Sequence, residues 1–375
     1  MRFLPPLIAA SMLILPTSAP AAPAGPPTVF IDELTWTELR ADIAAGKTTI
    51  IVPIGGTEQN GPHMTLGKHN ARVTALAQRI AQALGNALVA PTLAYVPEGN
   101  VNPPSAHMRF PGTITIPDAT FEKVIEYAAR SFKLHGFRDI VLLGDHGDYR
   151  KSLKAVADRI DREWAATPVR VHAIDEYYVA AETLFAQALG NALVAPTLAY
   201  VPEGNVNPPS AHMRFPGTIT IPEATFEKVI EYAARSFRQA GFRDIVLIGD
   251  HGGYRKSLKA VADRLDREWA ATPVRVHAID EYYVASETLF GQALRRQGYR
   301  DEEIGTHAGL ADTSLAMAIN PSLVRTDRLR SPEPLGRSDG VYGDPRRATA
   351  ELGQPGVDLI VTTTVEAIKR AVARR

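Results

Sequence analysis

The segment QALGNALVAPTLAYVPEGN occupies residues 82–100 and returns, letter for letter, at residues 187–205. The repeat runs on well beyond that segment. Residues 82–186 and 187–291 are two copies of one unit of 105 residues (82 to 187 is a step of 105). Nine positions differ between them: Asp118/Glu223, Lys133/Arg238, Leu134/Gln239, His135/Ala240, Leu143/Ile248, Asp148/Gly253, Ile160/Leu265, Ala181/Ser286 and Ala186/Gly291. Residues 1–81 and 292–375 occur once. A repeat has to be read before anything else because it sets the fold. Here it predicts one domain over 25–375 with its middle doubled, rather than two domains in tandem.

Working outward, residues 48–54 (TTIIVPI) predict a buried strand that enters a turn at Gly55-Gly56. Residues 70–84 read as a helix, and 87–95 and 112–116 as strands. Phe121, Val124, Ile125, Ala128 and Phe132 fall at helical spacing and predict an amphipathic helix over 119–134. Residues 140–143 are wholly apolar, as suits a parallel strand covered on both faces. Leu153, Val156, Ile160 and Trp164 form another helix stripe, residues 169–174 another strand, and a helix follows from about Glu176. The second copy repeats this order. After it come a helix near 313–319, a Pro/Gly-rich loop at 331–345 and a last helix near 357–373. Strands alternating with helices predict an α/β fold, a three-layer α/β/α sandwich with a mostly parallel sheet. The surplus copy carries buried-type strands that cannot stay exposed, so it predicts an extra α/β lobe or a swap into another chain.

Lys+Arg and Asp+Glu balance at 41 each, which argues against nucleic acid or an anionic membrane as partner. A small-molecule substrate and a homo-oligomer, possible domain swapping included, are the expected partners. Residues 1–24 place Arg2 before a short apolar run, followed by small residues around 22–24, the pattern of a cleaved secretory signal peptide. The run is too short to span a bilayer, so the mature chain is expected in the periplasm or outside the cell. There are no cysteines, so stability has to come from the core without disulfides.

Three clusters carry chemistry, each just past a strand or in a loop, where open α/β sheets place their sites. The first runs from Gly55 to His63 and continues through Lys68, His69 and Asn70. The second is Gly144-Asp145-His146-Gly147-Asp148, repeated as Gly249-Asp250-His251-Gly252-Gly253. The third spans Thr306 to Ser314 and includes His307 and Asp312. A carboxylate with imidazoles from separate loops can hold a divalent metal and leave a position open for water. Taken singly, each has a plainer reading. Glu58 can cap a helix or pair with Arg72, His63 can be structural, and His107 and His212 can line a pocket or brace a loop. His172 and His277, on a strand, fit core or surface roles.

Pro53 to His63 resembles the signature strand and loop of the creatininase family of metal-dependent amidohydrolases. Phe110-Pro111-Gly112-Thr113-Ile114-Thr115, Gly136-Phe137-Arg138, the His146 loop, the His307 segment and the stretch from Gly340 to Glu351 are similar to that family's motifs, in its order. The resemblance implies Glu58 as a metal ligand. Asn60 stands where the family has a histidine, and His69 where it has a bridging aspartate. The ligand histidine of the middle loop corresponds to His146 or His251, with Asp148 a further candidate in the first copy. His307 aligns with a substrate-handling histidine, and Asp312 stands in place of a glutamate. Without the bridging carboxylate, one Zn²⁺ is expected rather than a pair, with Mn²⁺ as the alternative. The implied function is an exported amidohydrolase that cleaves a C–N bond of a small amide, cyclic amide or short peptide with a metal-activated water. His307 or Asp312 would assist proton transfer. The alternative is a binding or assembly protein whose site the duplication has disrupted. Since the repeat contains neither Glu58 nor His307, one complete site per chain is expected, with His146 and His251 competing for it.

Overall fold

A computed structural model describes residues 28–146, 149–174, 195–331, 333 and 335–373. The expected signal peptide at 1–24, the ligand candidate Asp148 and the helix beginning near Glu176 lie outside the described residues.

Strand β1, Thr49–Ile54, is buried along its whole length, as its largely β-branched run, broken only by Pro53, requires. It pairs in parallel with β2 (Ala87–Val89) on one side and β3 (Asp139–Gly144) on the other. Strand β4, Arg170–Ala173, adds to β3, so the sheet order is β2-β1-β3-β4. Helix α1 (Trp36–Ala44) precedes β1, opened by a Thr35/Glu38 capping box. Helix α2, Lys68–Leu84, lays Val73, Ala77 and Ala81 on one sheet face, against Ile51, Val89 and Leu143. Gly85, in the left-handed region at φ 76°, ends it by donating to Ala81 O. Helices α3 (Asp118–Leu134) and α4 (Arg150–Glu163) cover the other face with Phe121, Val124, Phe132, Val156 and Ile160. The result is the expected α/β/α sandwich around a parallel sheet.

Two strand expectations shrink. The strand at 87–95 stops at Val89, and only an isolated bridge joins Leu93 to Ile54. Residues 112–116 form no strand. Ile114 and Ile116 are buried, but their N–H groups donate to Thr57 O and Val96 O in loops rather than to a neighbouring ladder.

The second copy builds α5 (Glu223–Gln239), β5 (Asp244–Leu247), α6 (Arg255–Glu268) and β6 (Arg275–Ala278) in the same order. Among the described residues its sheet has just these two strands. The cause is in the sequence: β5 is the counterpart of β3, and the unrepeated β1 is already paired with β3. The consequence shows at one position, where Leu143 is 2% exposed and its counterpart Ile248 is 47% exposed.

The two copies pack against each other about an approximate local two-fold axis. Tyr95 Oη donates to Pro196 O at 2.7 Å, and its counterpart Tyr200 Oη donates to Pro91 O at 2.8 Å. Thr115 N–H donates to Ser236 Oγ at 3.1 Å, and Thr220 N–H to Ser131 Oγ at 3.2 Å. Such reciprocity, residue i to j and j to i, marks an isologous interface like that of a homodimer. Two of the nine differences sit in it. Gln239 Nε2 bonds Met108 O, while His135, on the other side, faces Met213 O and accepts from Gly217 N–H.

The C-terminal segment adds α7 (Phe290–Arg296), α8 (Leu310–Ile319) and α9 (Ala350–Ala373), packed through Phe290, Leu294, Ile304, Ala311 and Leu315. Helix α9 begins earlier than expected and keeps Pro355 inside it. Its Gly353 marks helix contact rather than a break, because a Cβ there would meet Ser314 O at 1.9 Å. Arg325 returns the segment to α1 through Glu38 at 2.7 Å, and Trp36 Nε1 donates to Asp339 O at 2.8 Å.

Because the axis makes the two serines equivalent, Ser131→Ala and Ser236→Ala should each strand one buried backbone N–H. Each is expected to cost about 1–3 kcal/mol in urea denaturation. A loss from only one of the pair would contradict the two-fold interface.

Candidate metal centres

Glu58 follows β1 directly and is buried. Its placement depends on Gly55 and Gly56. A Cβ at Gly55 would lie 2.1 Å from Asn70 Oδ1, and one at Gly56, where φ is 156°, would lie 2.5 Å from Glu98 Oε1. With neither present, Asn70 closes the loop, accepting from Gly56 N–H at 2.9 Å and donating to Thr57 Oγ1 at 3.1 Å.

Behind Glu58 runs a buried line of alternating charge. His69 Nε2 donates to Glu58 Oε1 at 2.7 Å, and Nδ1 donates to Asp145 Oδ2 at 2.9 Å. Arg72 Nε reaches the same Asp145 oxygen at 3.0 Å. Burial pulls the His69 pKa down, but its bonds to Asp145 and Glu58 win and leave it raised. With a carboxylate at each nitrogen, His69 orients Glu58 from behind. The convergent donor group, Glu58, Glu98, His107 and His146, does not include it, although His69 was an expected ligand.

In front of Glu58 the pattern changes. Burial pushes the Glu58 pKa up, yet the imidazoles of His146 and His69 more than offset this and hold it well below the usual carboxylate range. Its Oε2 lies 2.6 Å from His107 Nδ1 and 3.3 Å from His146 Nε2, but no directed hydrogen bond reaches that oxygen. Gln59 Oε1 accepts from Gly61 N–H at 3.1 Å, so its Nε2 is the atom that donates to His107 Nδ1, at 3.2 Å. That bond uses the Nδ1 lone pair, so a cation shared by His107 and Glu58 Oε2 would take the place of the Gln59 N–H. Glu98, fully buried, has Oε2 3.7 Å from His146 Nε2 and completes the group. One donor atom each from Glu58, Glu98, His107 and His146 lies within 4.8 Å of the others. Asn60 is elsewhere engaged, donating to Glu58 O and Thr65 O.

The second copy reproduces the core of this arrangement. Glu203, His212 and His251 are the counterparts of Glu98, His107 and His146, and their donors also lie within 4.8 Å. The His251 to Glu203 separation is 3.7 Å, equal to that of the first copy. The His212 and His251 ring centroids are 5.3 Å apart, against 5.4 Å for His107 and His146. Glu58 has no counterpart here. His307 takes the vacant side, its ring 4.8 Å from His212. Burial raises the Glu203 pKa to about 7. Burial also lowers His212 and His251, with His307 adding to the effect on both. The group opens into a cavity of about 360 Å³.

This geometry corrects the expected competition. His146 alone stands beside Glu58, because β3 pairs with β1 and brings its loop along. His251 belongs to the other cluster, and His307 lies beside that cluster against His212. Asp312 lies near Asp250 and Glu287, and its carboxylate accepts from Ala308 N–H at 2.7 Å, holding the turn before α8. The described residues thus contain two donor groups, not one. Sequence reading passed over Glu98, Glu203, Asp145 and Arg72 as site residues and left His107 and His212 undecided. The signal was available in EGNVNPPSAH, which both copies keep unchanged, with its glutamate and histidine at fixed spacing.

The family model for creatinine amidohydrolase, Creatininase, matches the chain twice, over residues 32–182 and 165–368. A creatinine amidohydrolase of Pseudomonas putida is 35% identical over 119 residues, covering 32% of this chain and 45% of the relative. A mycofactocin precursor peptide peptidase of Mycolicibacterium smegmatis is 33% identical over 28% of this chain and 42% of its own. A 3-dehydro-scyllo-inosose hydrolase of Thermotoga maritima is 30% identical over 32% and 37%. The chain therefore spans under half the length of these curated relatives. A solved creatinine amidohydrolase (creatininase) is 20% identical, with 93% of this chain and 100% of that one covered and a TM-score of 0.29. Other solved creatininase chains are described as Mn and Zn-Zn forms.

Tyr149 gives an internal control on how the first site is held. Fully buried, its Oη accepts from Asp145 N–H at 3.0 Å and lies 2.7 and 2.6 Å from Ile54 O and Gly55 O, tying the ends of β1 and β3. Tyr149→Phe should cost about 2–3 kcal/mol in chemical denaturation. Tyr254→Phe, with no β1 beside it, should cost less than about 1 kcal/mol. Equal costs would contradict the latch.

Proposed function

The chain belongs to the creatininase family, and on that premise we propose that it is a metal-dependent hydrolase of C–N bonds in small amides, cyclic amides or short peptides. The observation that carries this reading is Glu58 Oε2, a buried, ionised oxygen without a directed hydrogen bond, faced by two imidazole nitrogens. Glu58, Glu98, His107 and His146 would hold one divalent ion, and their mixed oxygen and nitrogen donors suit Zn²⁺ first and Mn²⁺ second. Bound there, such an ion supplies Lewis acidity toward a carbonyl and lowers the pKa of a coordinated water.

The chain's own residues supply the rest. His69 fixes the Glu58 carboxylate from behind, and Asp145, itself held by Arg72, bonds the other ring nitrogen of His69. His107, with 30% of its side chain exposed, is the member of the set that meets solvent. Its partner Gln59 sets the tautomer. Three relatives that share this sequence signal are described as an amidohydrolase, a peptidase and a hydrolase, which supports hydrolysis as the common chemistry. The signal-like sequence of residues 1–24 supports export. A mature chain starting near residue 25 in the periplasmic fraction of a Gram-negative host would bear that out, and an intact N-terminus in the cytosol would refute it.

The rival reading, a binding or assembly protein, rests on His307 packing against His212 rather than standing with Glu58. One experiment separates the two. Purified full-length chain should hydrolyse members of a panel of cyclic amides and short peptides, and a chelator should abolish that activity. Glu58→Gln should weaken Zn²⁺ binding at this site by more than about 100-fold and remove turnover with it. Metal binding that depends on Glu58 but brings no turnover on any panel member would favour the rival.

A further inference from the structure

The duplicated loop carries a donor group that the reaction proposed at Glu58 does not use. Glu203, His212 and His251 converge with one donor atom each inside 4.8 Å, and His307 is brought against His212 by the C-terminal segment. We propose that Glu203, His212 and His251, flanked by His307, form a second divalent-cation site, independent of Glu58 and specific for a Zn²⁺-like ion.

Geometry is the first argument. Donors sharing one tetrahedral Zn²⁺ sit about 3.2–3.6 Å apart when the bonds are about 2.0–2.2 Å. The His251 Nε2 to Glu203 Oε2 separation of 3.7 Å is within a small side-chain adjustment of that edge. One carboxylate and two imidazoles make a softer set than the two carboxylates and two imidazoles of the first cluster, which favours Zn²⁺ over Mg²⁺ or Ca²⁺.

Charge is the second. Among the described residues no lysine or arginine pairs with Glu203, so a half-buried carboxylate faces imidazoles alone. Access is the third. The group lines an open cavity of about 360 Å³ walled by Ile31, Val201 and Ile219, large enough for an ion and a small ligand. One contact must yield: His251 Nδ1 accepts from Gly253 N–H at 3.2 Å, and loading through Nε2 moves a proton to Nδ1 and releases that bond. A single long hydrogen bond at a half-exposed loop is a weak opponent of a metal–imidazole bond.

The test counts ions and does not depend on catalysis. Full-length chain equilibrated with Zn²⁺ and dialysed should hold about two ions by elemental mass spectrometry. Glu58→Gln should keep the second of them, so a failure at the first cluster leaves this reading intact. His212→Ala/His251→Ala should lose that second ion in the Glu58→Gln background. Co²⁺ in that background should show the visible absorption of a tetrahedral site. Should the double variant fail to fold by circular dichroism, Glu203→Gln and His307→Ala decide, each expected to weaken Zn²⁺ binding about tenfold or more. The proposal is overturned if Glu58→Gln protein binds no Zn²⁺, or if the folded variants bind it as tightly as their parent.

Discussion

A single strand, Thr49–Ile54, has to serve two copies of the strand it pairs with, and most of the molecule follows from that shortage. Strand β1 hydrogen-bonds along its length to β3, and no second β1 exists for β5. The side chain that β1 buries in one copy is left half exposed in the other, as Leu143 and Ile248 show. Loop-closure entropy grows too slowly with length to choose between the copies. Sequence proximity and packing choose instead. The copy adjacent to β1 takes the strand, and the copy adjacent to residues 292–375 takes the C-terminal helices.

Two lobes that each lack part of a domain would be poor neighbours in isolation. They are held together by surfaces that match because they are the same surface. Tyr95 and Tyr200 exchange hydrogen bonds with the opposite copy, Ser131 and Ser236 do likewise, and one apolar core runs across both. Identity of sequence makes such an interface self-complementary without further design. Divergence at Leu134/Gln239 and His135/Ala240 then breaks the symmetry where the two helices end, giving each side its own polar contact.

The fold was largely legible in the sequence because its signals are local. Apolar runs at β1 and β3 and helical stripes at α3 and α4 depend on neighbours a few residues away. Residues 112–116 misled because β-branched, buried residues look alike whether their N–H groups meet a strand or a loop. The last helix was expected from about 357 but starts at Ala350, where Gly353 lets α9 approach α8. The site was less legible, since its partners are distant in sequence. Glu58 and His146 carried motif signals, but that Glu98 and His107 close the group follows only from where their loop returns beside β1. His69 was misassigned for a related reason. Its spacing puts it beside Glu58, and only the buried Asp145 and Arg72 behind it reveal that both nitrogens are occupied.

The glutamate and two histidines that both copies share therefore acquire different chemistry from their surroundings. In the first copy the completing group is Glu58, whose pKa burial pushes up and the His146 and His69 imidazoles bring well below the usual range, so the set is half oxygen. In the second, His307 packs against His212 and no second carboxylate joins, so the set is two imidazoles and one carboxylate whose pKa burial raises to about 7. Asp145 and Asp250 show the same divergence one layer out. Asp145 is paired with Arg72 and His69, while Asp250 lacks both, leans on Tyr282, and is raised by burial and by Asp312. Identical sequence does not fix ligand character here. The unrepeated ends of the chain fix it, because each end reaches only the copy to which it is joined.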